Sequence, residues 1–337
     1  MSLDDRYDDL AASVGGFYRS WAAYLGLDLG LFAALRTAGT EGLTAEELAS
    51  RTGTRPAPVA AWIQAAFASD LVDFDGTRAT VPEDIAAILL DDARPEFLGG
   101  QFVSTVVSTL DYEGMAEFFR TGRTIAERPP RFHRAIEQVT SQDIAVFFQE
   151  GLAALPTLTD ILSRGADVLD VACGGGRWLV AIARRFPECR CTGVEYEPDS
   201  VARAMRRVSE AGLGERVRIE SRDIATMGID GAFDLVYLQD ALHEVPDPVE
   251  SLRASWAAVR AGGRLVVLDW CLPASLEESR TIHGQIMWGI QLDELYQGTR
   301  MYTHDGFLDV YRSAGLPDPT VIDLPSGATI FVSRRPD

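Results

Sequence analysis

The chain has 337 residues, of which 47% are hydrophobic, so it can bury a sizeable core in one large domain or two ordinary ones. Its 31 basic residues face 50 acidic ones, and the resulting formal charge of −19 repels nucleic acid and anionic membrane surfaces. Every basic side chain is an arginine, since the sequence contains no lysine, and this excludes Schiff-base chemistry and the lysine of a phosphate-binding loop.

The four cysteines, Cys173, Cys189, Cys191 and Cys271, form no CxxC pair, and we expect them to be reduced and buried. The first ten residues are acidic where a secretory signal needs a positive start. No stretch of the sequence has the roughly 18 uninterrupted apolar residues of a membrane span. These features predict a cytoplasmic protein without a membrane partner.

Helical periodicity dominates the first part of the chain, from Asp8 to about Leu90. Within it, GLTAEELASRTG predicts a short helix capped by Thr44, and RPAPVAAWIQAAFASDLV predicts a longer helix. LVDFDGTRATVP then predicts a hairpin that turns at Asp75-Gly76. Helix, helix and hairpin in this order are typical of a winged helix-turn-helix unit.

A winged helix suggests DNA binding, so its charge decides the interpretation. Residues 40–82 contain three arginines and six acidic residues, a balance of −3 where a DNA-binding module is basic. We therefore predict no nucleic-acid partner and interpret residues 1–95 as a packing and dimerisation domain.

The remainder of the chain changes character near residue 165. Residues 96–164 are predicted to be helical, whereas later segments such as VLDVA, FDLVYL and RLVVLDW are short apolar strands separated by helices. This alternation predicts an α/β domain with a parallel, doubly wound sheet, in which the helix before RLVVLDW reaches Ala261. The final PTVIDLP and ATIFVSR predict a closing hairpin.

The strongest chemical signal is VLDVACGGG at 168–176, an apolar strand that runs into three glycines before a helix starts near Arg177. Glycines at such a turn let a ligand approach the backbone closely, because a Cβ there would collide with it. Nineteen residues after Gly176, at the end of the next strand, Glu195 is placed to accept hydrogen bonds from two ribose hydroxyls. Together these features predict a nucleoside-binding site.

The motif lacks a glycine that dinucleotide-binding sites require, and this indicates which nucleoside binds. A dinucleotide fingerprint requires a third glycine where Leu179 stands, whereas S-adenosylmethionine has no pyrophosphate and does not need it. DVACGGG resembles the first motif of class I S-adenosylmethionine-dependent methyltransferases, D-x-G-x-G-x-G, with Ala172 at its first glycine. Asp223-Ile224, Gln239-Asp240 and the AGGRL segment extend the similarity, which is strongest to small-molecule O-methyltransferases of natural-product pathways.

The resemblance implies a Rossmann-like, class I methyltransferase domain over 165–337 and a helical linker over 96–164 that contributes to the acceptor pocket. It also implies a homodimer formed through a winged-helix domain at 1–95, a small-molecule substrate, S-adenosyl-L-methionine as cofactor and S-adenosyl-L-homocysteine as product. The expected cofactor-binding residues are Asp170, Cys173, Gly174, Gly176, Glu195, Tyr196, Asp223, Ile224, Gln239 and Asp240.

O-methylation requires removal of a proton, and histidine suits this step because its ordinary pKa of about 6.5 leaves the neutral base well populated. LHEVPD at 242–247 follows the fourth strand and resembles the family's L-H-x-W-x-D segment, which carries the general base, with Val245 in place of tryptophan. We therefore predict His243 as the base. The alternative is a structural role, in which His243 caps the next helix or pairs with Asp247.

The acidic residues that orient this histidine in the family are matched less closely in this sequence. Asp293 resembles the aspartate on the corresponding helix of the family and is predicted as a second catalytic residue, whereas Met301 falls at the family's later glutamate. An incomplete set of acids would suit an acidic acceptor, or methylation at carbon or nitrogen. Two other classes stay open: a regulator that senses S-adenosylmethionine, and a family member that binds the cofactor for a reaction other than methyl transfer.

Aromatic and apolar residues of the covering segments are expected to line the acceptor pocket. The predicted substrate-contacting residues are Phe147, His283, Met287, Trp288 and Tyr302. No spacing of metal-ligand type connects His243 with His283, so no metal site is predicted.

Overall fold

The computed structural model describes residues 2–337, which divide into two compact units. The first unit takes in the chain to Glu113 together with Arg128–Gln142, and the second consists of Gly114–Glu127 and Asp143–Asp337. Residues 114–127 and 143–164, which lie in the predicted linker, thus belong to the unit that contains the large sheet.

Up to residue 139 the chain is mainly helical, with short 3-10 turns at Gly39–Glu41 and Tyr112–Gly114. Its elements are α1 (Leu3–Asp28), α2 (Leu31–Ala38), α3 (Ala45–Thr52), α4 (Pro56–Phe67), β1 (Asp73–Phe74), β2 (Ala79–Thr80), α5 (Glu83–Leu90), α6 (Gly99–Thr109), α7 (Met115–Thr121) and α8 (Pro130–Val139).

From residue 141 onward helices alternate with strands, with a π-helical turn at Phe147–Gly151 and a 3-10 turn at Glu278–Arg280. The elements are α9 (Ser141–Val146), α10 (Leu152–Ala154), α11 (Pro156–Ser163), β3 (Asp167–Val171), α12 (Arg177–Arg185), β4 (Arg190–Glu195), α13 (Pro198–Glu210), β5 (Val217–Ser221), β6 (Phe233–Gln239), α14 (Pro248–Ala258), β7 (Val259–Trp270), α15 (Ile282–Gln297), α16 (His304–Ser313), β8 (Thr320–Asp323) and β9 (Ala328–Arg334).

Local sequence explains the start of α3, which Thr44 caps as predicted. The Thr44 hydroxyl accepts a hydrogen bond from the Glu47 amide, and the Glu47 carboxylate accepts one from the Thr44 amide, so two otherwise unpaired N–H groups are satisfied. Helices α3 and α4 are followed by the antiparallel pair β1 and β2, which is the predicted order of helix, helix and hairpin.

Aromatic packing organises the core of the first unit. Phe32 and Trp62 meet edge to face with ring centroids 5.2 Å apart, and Trp62 Nε1 donates a hydrogen bond to the Ala22 carbonyl at 2.8 Å. Gly26 is required beside them, because a Cβ at this position would lie 2.2 Å from the Phe32 ring.

The second unit is built on a seven-stranded sheet in the order β5-β4-β3-β6-β7-β9-β8. Strands β3 to β7 are parallel, and the closing hairpin of β8 and β9 adds antiparallel to β7, as the sequence predicts. One predicted boundary is wrong: α14 ends at Ala258 rather than Ala261, because Val259 already pairs with Phe233 of β6 in the sheet.

The strand order positions the functional site. The sheet grows from β3 in both directions, through β4 on one side and β6 on the other. In doubly wound sheets of this kind, ligands bind outside the carboxyl ends of the strands at the point where the order reverses. The residues that follow β3, β4 and β6 are therefore expected to form the ligand site.

No described helix is by itself long and apolar enough to span a bilayer. Among the described residues, two consecutive helical segments, Pro130–Ala154 and Pro156–Ser163, reach the length and apolar composition of a membrane span only when they are taken together, and the chain bends between them.

Candidate active site

The glycine turn connects β3 to α12 in a left-handed backbone conformation. Ala172, Gly174 and Gly176 have φ values of 59°, 49° and 73°. A Cβ on Gly176 would lie 3.0 Å from the Cβ of Ala204, so this glycine lets α12 approach α13. A Cβ on Gly174 would meet no atom within 4 Å, so the turn is open on that side and leaves space for a ligand against the backbone.

Glu195 ends β4 directly beside this turn, and its buried carboxylate is held by the backbone. One oxygen, Oε2, accepts from the Gly174 amide at 3.0 Å, and Oε1 accepts from the amides of Tyr196 and Glu197 at 2.8 and 2.9 Å. Each carboxylate oxygen has two lone pairs, so one further donor can be accepted, at Oε2. The predicted ribose-binding residue thus also fixes the shape of the glycine turn.

Asp170 lies in β3 just before the glycine turn, and Cys173 lies in the turn itself. Burial and then the charge of Glu195 raise the pKa of Asp170 well above its usual range, and no described residue donates a hydrogen bond to its side chain. Burial also raises the pKa of the Cys173 thiol, whose sulfur lies against Gly193, where a Cβ would come within 2.7 Å. The thiol is therefore a packing group beside the turn.

Three of the expected cofactor-binding residues, Tyr196, Asp223 and Ile224, lie after β4 and β5. Asp223 is exposed, and its Oδ1 accepts from the Ala225 amide at 2.8 Å, whereas the Ile224 side chain is buried. Tyr196 is 64% exposed and directly follows Glu195, the last residue of β4. These three side chains and Glu195 all follow the carboxyl ends of neighbouring strands.

Gln239 ends β6, on the other side of β3, and Asp240 follows it. Gln239 Oε1 accepts from the hydroxyl of buried Tyr237 at 3.2 Å. Asp240 has a φ of 47°, a conformation that costs a residue with a side chain on the order of 1 kcal/mol or more and that concentrates at functional sites. Its amide is held by the Leu268 carbonyl at 2.8 Å.

His243 lies three residues beyond Asp240 and is only 5% exposed. Its Nδ1 is 2.9 Å from Oδ1 and 3.2 Å from Oδ2 of Asp269, near the end of β7, and 4.0 Å from Oδ1 of Asp240. Asp247, the alternative structural partner, instead caps α14 by accepting from the Glu250 amide. The imidazole is therefore oriented by Asp269.

Sequence reasoning missed Asp269. The only available signal was an acidic residue near the end of the strand RLVVLDW, and it becomes informative once β6 and β7 are known to be neighbours. A carboxylate bound to one ring nitrogen fixes the tautomer and leaves the other nitrogen for chemistry.

Two glutamates complete a cluster that we name the acidic site: Asp240, His243, Glu244, Asp269 and Glu294. A ring nitrogen of His243, one oxygen of Glu244 and one oxygen of Glu294 lie within 4.8 Å of one another. Glu294 is buried on α15 and accepts from the Thr299 hydroxyl at 2.5 Å. Gln297 Nε2 donates at 3.4 Å both to Glu294 and to Asp293, the predicted catalytic residue. Of these two acids, Glu294 is the one that belongs to the cluster with His243.

The charges of the acidic site act on one another. Burial alone would lower the pKa of His243, but the Asp269 carboxylate, helped by Asp240 and Glu244, raises it well above its usual range. Burial raises the pKa of Asp240 to about 7, with smaller contributions from the charges around it. Asp143, on α9, is also buried, and burial and the charge of Asp240 raise its pKa well above the ordinary value.

Glu244 differs from these buried groups because its side chain is open to solvent. Neighbouring protein atoms keep part of the water away from the Glu244 carboxyl, and this effect, followed by the charge of Glu294, raises its pKa. Water screens an exposed carboxylate, so the charge of Glu244 acts more weakly on its neighbours than the buried charges do.

The predicted substrate-contacting residues occupy different environments. Phe147 is fully buried and packs against Trp178 and Tyr237, with ring centroids 5.3 and 4.8 Å apart, so its side chain belongs to the core. Met287 and Tyr302 are buried as well, whereas His283 and Trp288 on α15 are exposed.

Trp270 connects several of these groups. Its Nε1 donates to Asp143 at 2.9 Å, and its ring centroid lies 6.2 Å from that of His283. Met301, at the position expected to carry the family's later glutamate, is a buried apolar residue beside Met287 and Leu272. Of the described acidic side chains, Glu294 rather than residue 301 brings a carboxylate from this region to His243.

Comparison with known proteins identifies the domain. Residues 162–304 match the family described as a methyltransferase domain. A demethylmenaquinone methyltransferase of Listeria monocytogenes is 29% identical over 113 residues, which cover 33% of this chain and 48% of that protein. The 27-O-demethylrifamycin SV methyltransferase of Amycolatopsis mediterranei is 30% identical over 141 residues, covering 40% of this chain and 52% of that protein.

The matched region thus spans about half the length of these curated relatives. Among solved structures, human N-acetylserotonin methyltransferase in complex with S-adenosylmethionine superposes with a TM-score of 0.73 and 17% identity, covering 100% of this chain and 99% of that one. The chain therefore contains a methyltransferase domain and has, over its whole length, the fold of S-adenosylmethionine-dependent methyltransferases.

Proposed function

We propose that the protein is an S-adenosylmethionine-dependent methyltransferase that methylates a hydroxyl group of a small, aromatic secondary metabolite. The observation that carries this proposal is the pairing of His243 with Asp269 at the carboxyl edge of the sheet, next to a glycine turn that is open to a ligand. A methyltransferase domain over 162–304 and the rifamycin-modifying relative support the substrate class.

The residues present fit the cofactor. Gly174 leaves space against the backbone, the Glu195 carboxylate can accept a ribose hydroxyl at Oε2, and the Asp170 carboxyl has no hydrogen-bond donor among described residues. Tyr196, Asp223 and Ile224 would hold the adenine end, and Gln239 and Asp240 the methionine end. When bound, S-adenosylmethionine supplies an electrophilic methyl group on a sulfonium centre.

His243 would remove the proton of the acceptor hydroxyl. Because Asp269 occupies Nδ1, the proton would be taken at Nε2, and Asp269 would stabilise the imidazolium that forms. The raised pKa of His243 makes this base effective only as the pH rises and the ring loses its proton. Activity is therefore expected to increase with pH across the neutral range.

The experiment that tests the proposal is transfer of labelled methyl groups from S-adenosylmethionine to a panel of phenols, hydroxy acids, keto acids and amines. His243→Ala should lower the rate about 10²- to 10⁴-fold, the range expected for loss of a general base. His133→Ala, at an exposed histidine on α8, is the matched control and should retain the wild-type rate. Full activity in His243→Ala would refute the assignment of the base.

Methylation at carbon or nitrogen is the second candidate, because Met301 places a buried apolar side chain where an acid was expected. A carbon or nitrogen nucleophile needs less help from a base. The chemical shift of the labelled methyl carbon in the product distinguishes the three bond types.

A homodimer is also part of the proposal. Helix α1 exposes Leu3, Tyr7, Leu10, Val14 and Phe17, whose spacings of four and three residues match those of the apolar seam of a coiled coil. Leu10→Glu should convert a dimer into a monomer in light scattering, whereas Ala12→Glu, on another face of α1, should not. We place residues 1–95 in this dimerisation role, 96–164 beside the acceptor and 165–337 around the cofactor.

A cytoplasmic location agrees with the state of the cysteines. Cys173, Cys189, Cys191 and Cys271 are all buried free thiols, as expected for a protein kept in a reducing compartment. Fractionation of cells that express the tagged protein tests the location.

A further inference from the structure

Trp270 is the last residue of β7, and its backbone is connected to the proposed base. The Trp270 amide donates a hydrogen bond at 2.8 Å to Oδ1 of Asp269, the same oxygen that lies 2.9 Å from Nδ1 of His243. Side chains alternate along a strand, so the Trp270 indole lies on the opposite face of β7 from the Asp269 carboxylate. The indole and the group that orients the base therefore come from adjacent positions at the carboxyl edge of the sheet.

A buried carboxyl group holds one edge of the indole. Nε1 of Trp270 donates to Oδ1 of Asp143 on α9 at 2.9 Å, and Asp143 is only 2% exposed. Burial of a carboxyl group costs free energy, and a single hydrogen bond offsets only part of this cost. Titratable groups in such surroundings are concentrated at functional sites. Asp143 thus sets the direction of the indole N–H, and with it the tilt of the ring.

The far side of the indole from Nε1 lies against a histidine and a glycine turn. The ring centroids of Trp270 and His283 are 6.2 Å apart, and their planes are inclined at 39°. A Cβ on Gly327 would lie 3.6 Å from Cζ3 of Trp270 and 3.5 Å from Cε1 of His283, so this turn borders both rings. The indole is therefore supported at two opposite edges.

Between these supports, part of the indole is open. Trp270 is half-buried. Oδ2 of Asp143 accepts no hydrogen bond from the described residues, yet it is not one of the fully covered unpaired polar atoms, so it borders open space. The charges of Asp240, Asp269 and His243 all act on Asp143, so this space lies at the carboxyl ends of β6 and β7, beside the proposed base.

We propose that the indole of Trp270 is the surface on which the flat ring of the acceptor stacks, and that Asp143 is the positioning residue that holds this surface beside His243. This inference rests on the proposed methyltransferase function and adds a determinant of its substrate specificity. Stacked aromatic rings attract each other beyond the effect of the surface they bury, and a saturated ring cannot make this contact. Stacking on a fixed ring also orients the hydroxyl group of the acceptor toward the base.

The charge state of Asp143 fits a positioning role. Burial, followed by the charge of Asp240, raises the pKa of Asp143 well above its usual range, which favours the neutral carboxyl group. A neutral carboxyl group accepts the indole hydrogen bond through its carbonyl oxygen, as the side-chain amide of asparagine does. Asp143→Asn should therefore preserve the position of the indole, whereas Asp143→Leu, of similar size, removes the acceptor.

Two probes with the same carbon skeleton and one hydroxyl group provide the test: 2-naphthol is flat and aromatic, and decahydro-2-naphthol is its saturated counterpart. Binding of each probe to the full chain saturated with S-adenosylhomocysteine is measured by calorimetry. We expect 2-naphthol to bind about 10-fold more tightly than decahydro-2-naphthol. Trp270→Leu should remove most of this preference, whereas Trp256→Leu, at another half-buried tryptophan on α14, should retain it.

Fluorine NMR of the chain labelled with 5-fluorotryptophan reports on the indole directly. The Trp270 resonance is identified by its loss in Trp270→Leu and should shift when 2-naphthol binds, because the ring current of a stacked ring acts on it. The Trp256 resonance should not shift. Asp143→Asn should keep both this shift and the preference for 2-naphthol, whereas Asp143→Leu should reduce both.

Equal binding of the two probes, no binding of 2-naphthol, an unmoved Trp270 resonance, or a preference that Trp270→Leu retains would overturn the stacking assignment. Wild-type behaviour of Asp143→Leu, or an equal loss in Asp143→Asn, would overturn the positioning role of Asp143. Binding of S-adenosylhomocysteine is recorded in the same samples. If the protein binds S-adenosylhomocysteine but does not prefer 2-naphthol, only this inference fails, whereas absence of cofactor binding refutes the proposed function itself.

Discussion

Nδ1 of His243 lies 2.9 Å from Oδ1 of Asp269, although 26 positions separate the two residues in the chain. The register of two parallel strands produces this contact: Gln239, at the end of β6, pairs with Leu268 of β7, so the residues that follow emerge side by side. The buried carboxylate holds the imidazole in one orientation and raises its pKa against the effect of burial.

Replacement of Asp269 by asparagine tests this relationship. We expect Asp269→Asn to lower the rate of methyl transfer about 10²- to 10⁴-fold, because the tautomer and orientation of His243 are no longer fixed. The pKa of His243 should fall as well, so the rise of the residual activity with pH should move to lower pH. Rate profiles from pH 5 to 9 measure both effects.

The control for that experiment is Asp305→Asn, at an exposed aspartate in the first turn of α16, which should keep the wild-type profile. An Asp269→Asn enzyme with an unchanged profile would mean that His243 is not the titrating base.

Gly174→Ala tests the open side of the glycine turn. A Cβ there meets no protein atom, so it should occupy space needed by the cofactor and weaken binding of S-adenosylhomocysteine at least about 10-fold, a loss of roughly 1.4 kcal/mol. Gly212→Ala is a matched control, because Gly212 also has a positive φ, of 68°, and open surroundings but lies at the end of α13. Unaltered calorimetric affinity in Gly174→Ala would show that the ligand does not approach this residue.

Ala172→Gly is expected to stabilise the fold. Ala172 has a φ of 59°, which costs a residue with a Cβ about 1 kcal/mol, and glycine adopts this conformation freely. The greater flexibility of glycine in the unfolded chain offsets part of the gain, so the free energy of unfolding should rise by up to about 1 kcal/mol. Urea unfolding measures the change.

Ala202→Gly is the control, because Ala202 lies on the exposed face of α13, where alanine is favoured over glycine. This substitution should lower the free energy of unfolding by about 1 kcal/mol. If both substitutions destabilise the protein equally, the conformation at Ala172 carries no strain.

Asp240→Asn should change how stability depends on pH. The pKa of Asp240 is about 7 in the folded protein against about 3.9 in an unfolded chain, so the folded state retains a proton that the unfolded state loses. The resulting stabilisation is complete below pH 4 and is lost as the pH rises through 7. Asp240→Asn should therefore lose less stability between pH 5 and 8 than the wild type does.

Thermal unfolding across this pH range gives the comparison, with the exposed Asp160→Asn as control. Parallel stability curves for wild type and Asp240→Asn would contradict a raised pKa at Asp240.

Local patterns in the sequence were sufficient to predict the architecture. Apolar periodicity, the Thr44 cap and the glycine run after VLDVA each act over a few residues, so they predicted the helices, the glycine turn and the parallel sheet. The position of His243 after the fourth strand of the α/β segment was also readable, because the carboxyl ends of parallel strands share one edge.

Tertiary structure alone decided which acids surround His243. Asp269 and Glu294 come from β7 and α15, and only strand register and helix packing bring their carboxylates to the imidazole. The same holds for Phe147, whose aromatic character suggested a ligand contact but which packs fully into the core against Trp178 and Tyr237. Periodicity reports which face of an element is buried, whereas a contact between distant elements depends on how their faces are paired in space.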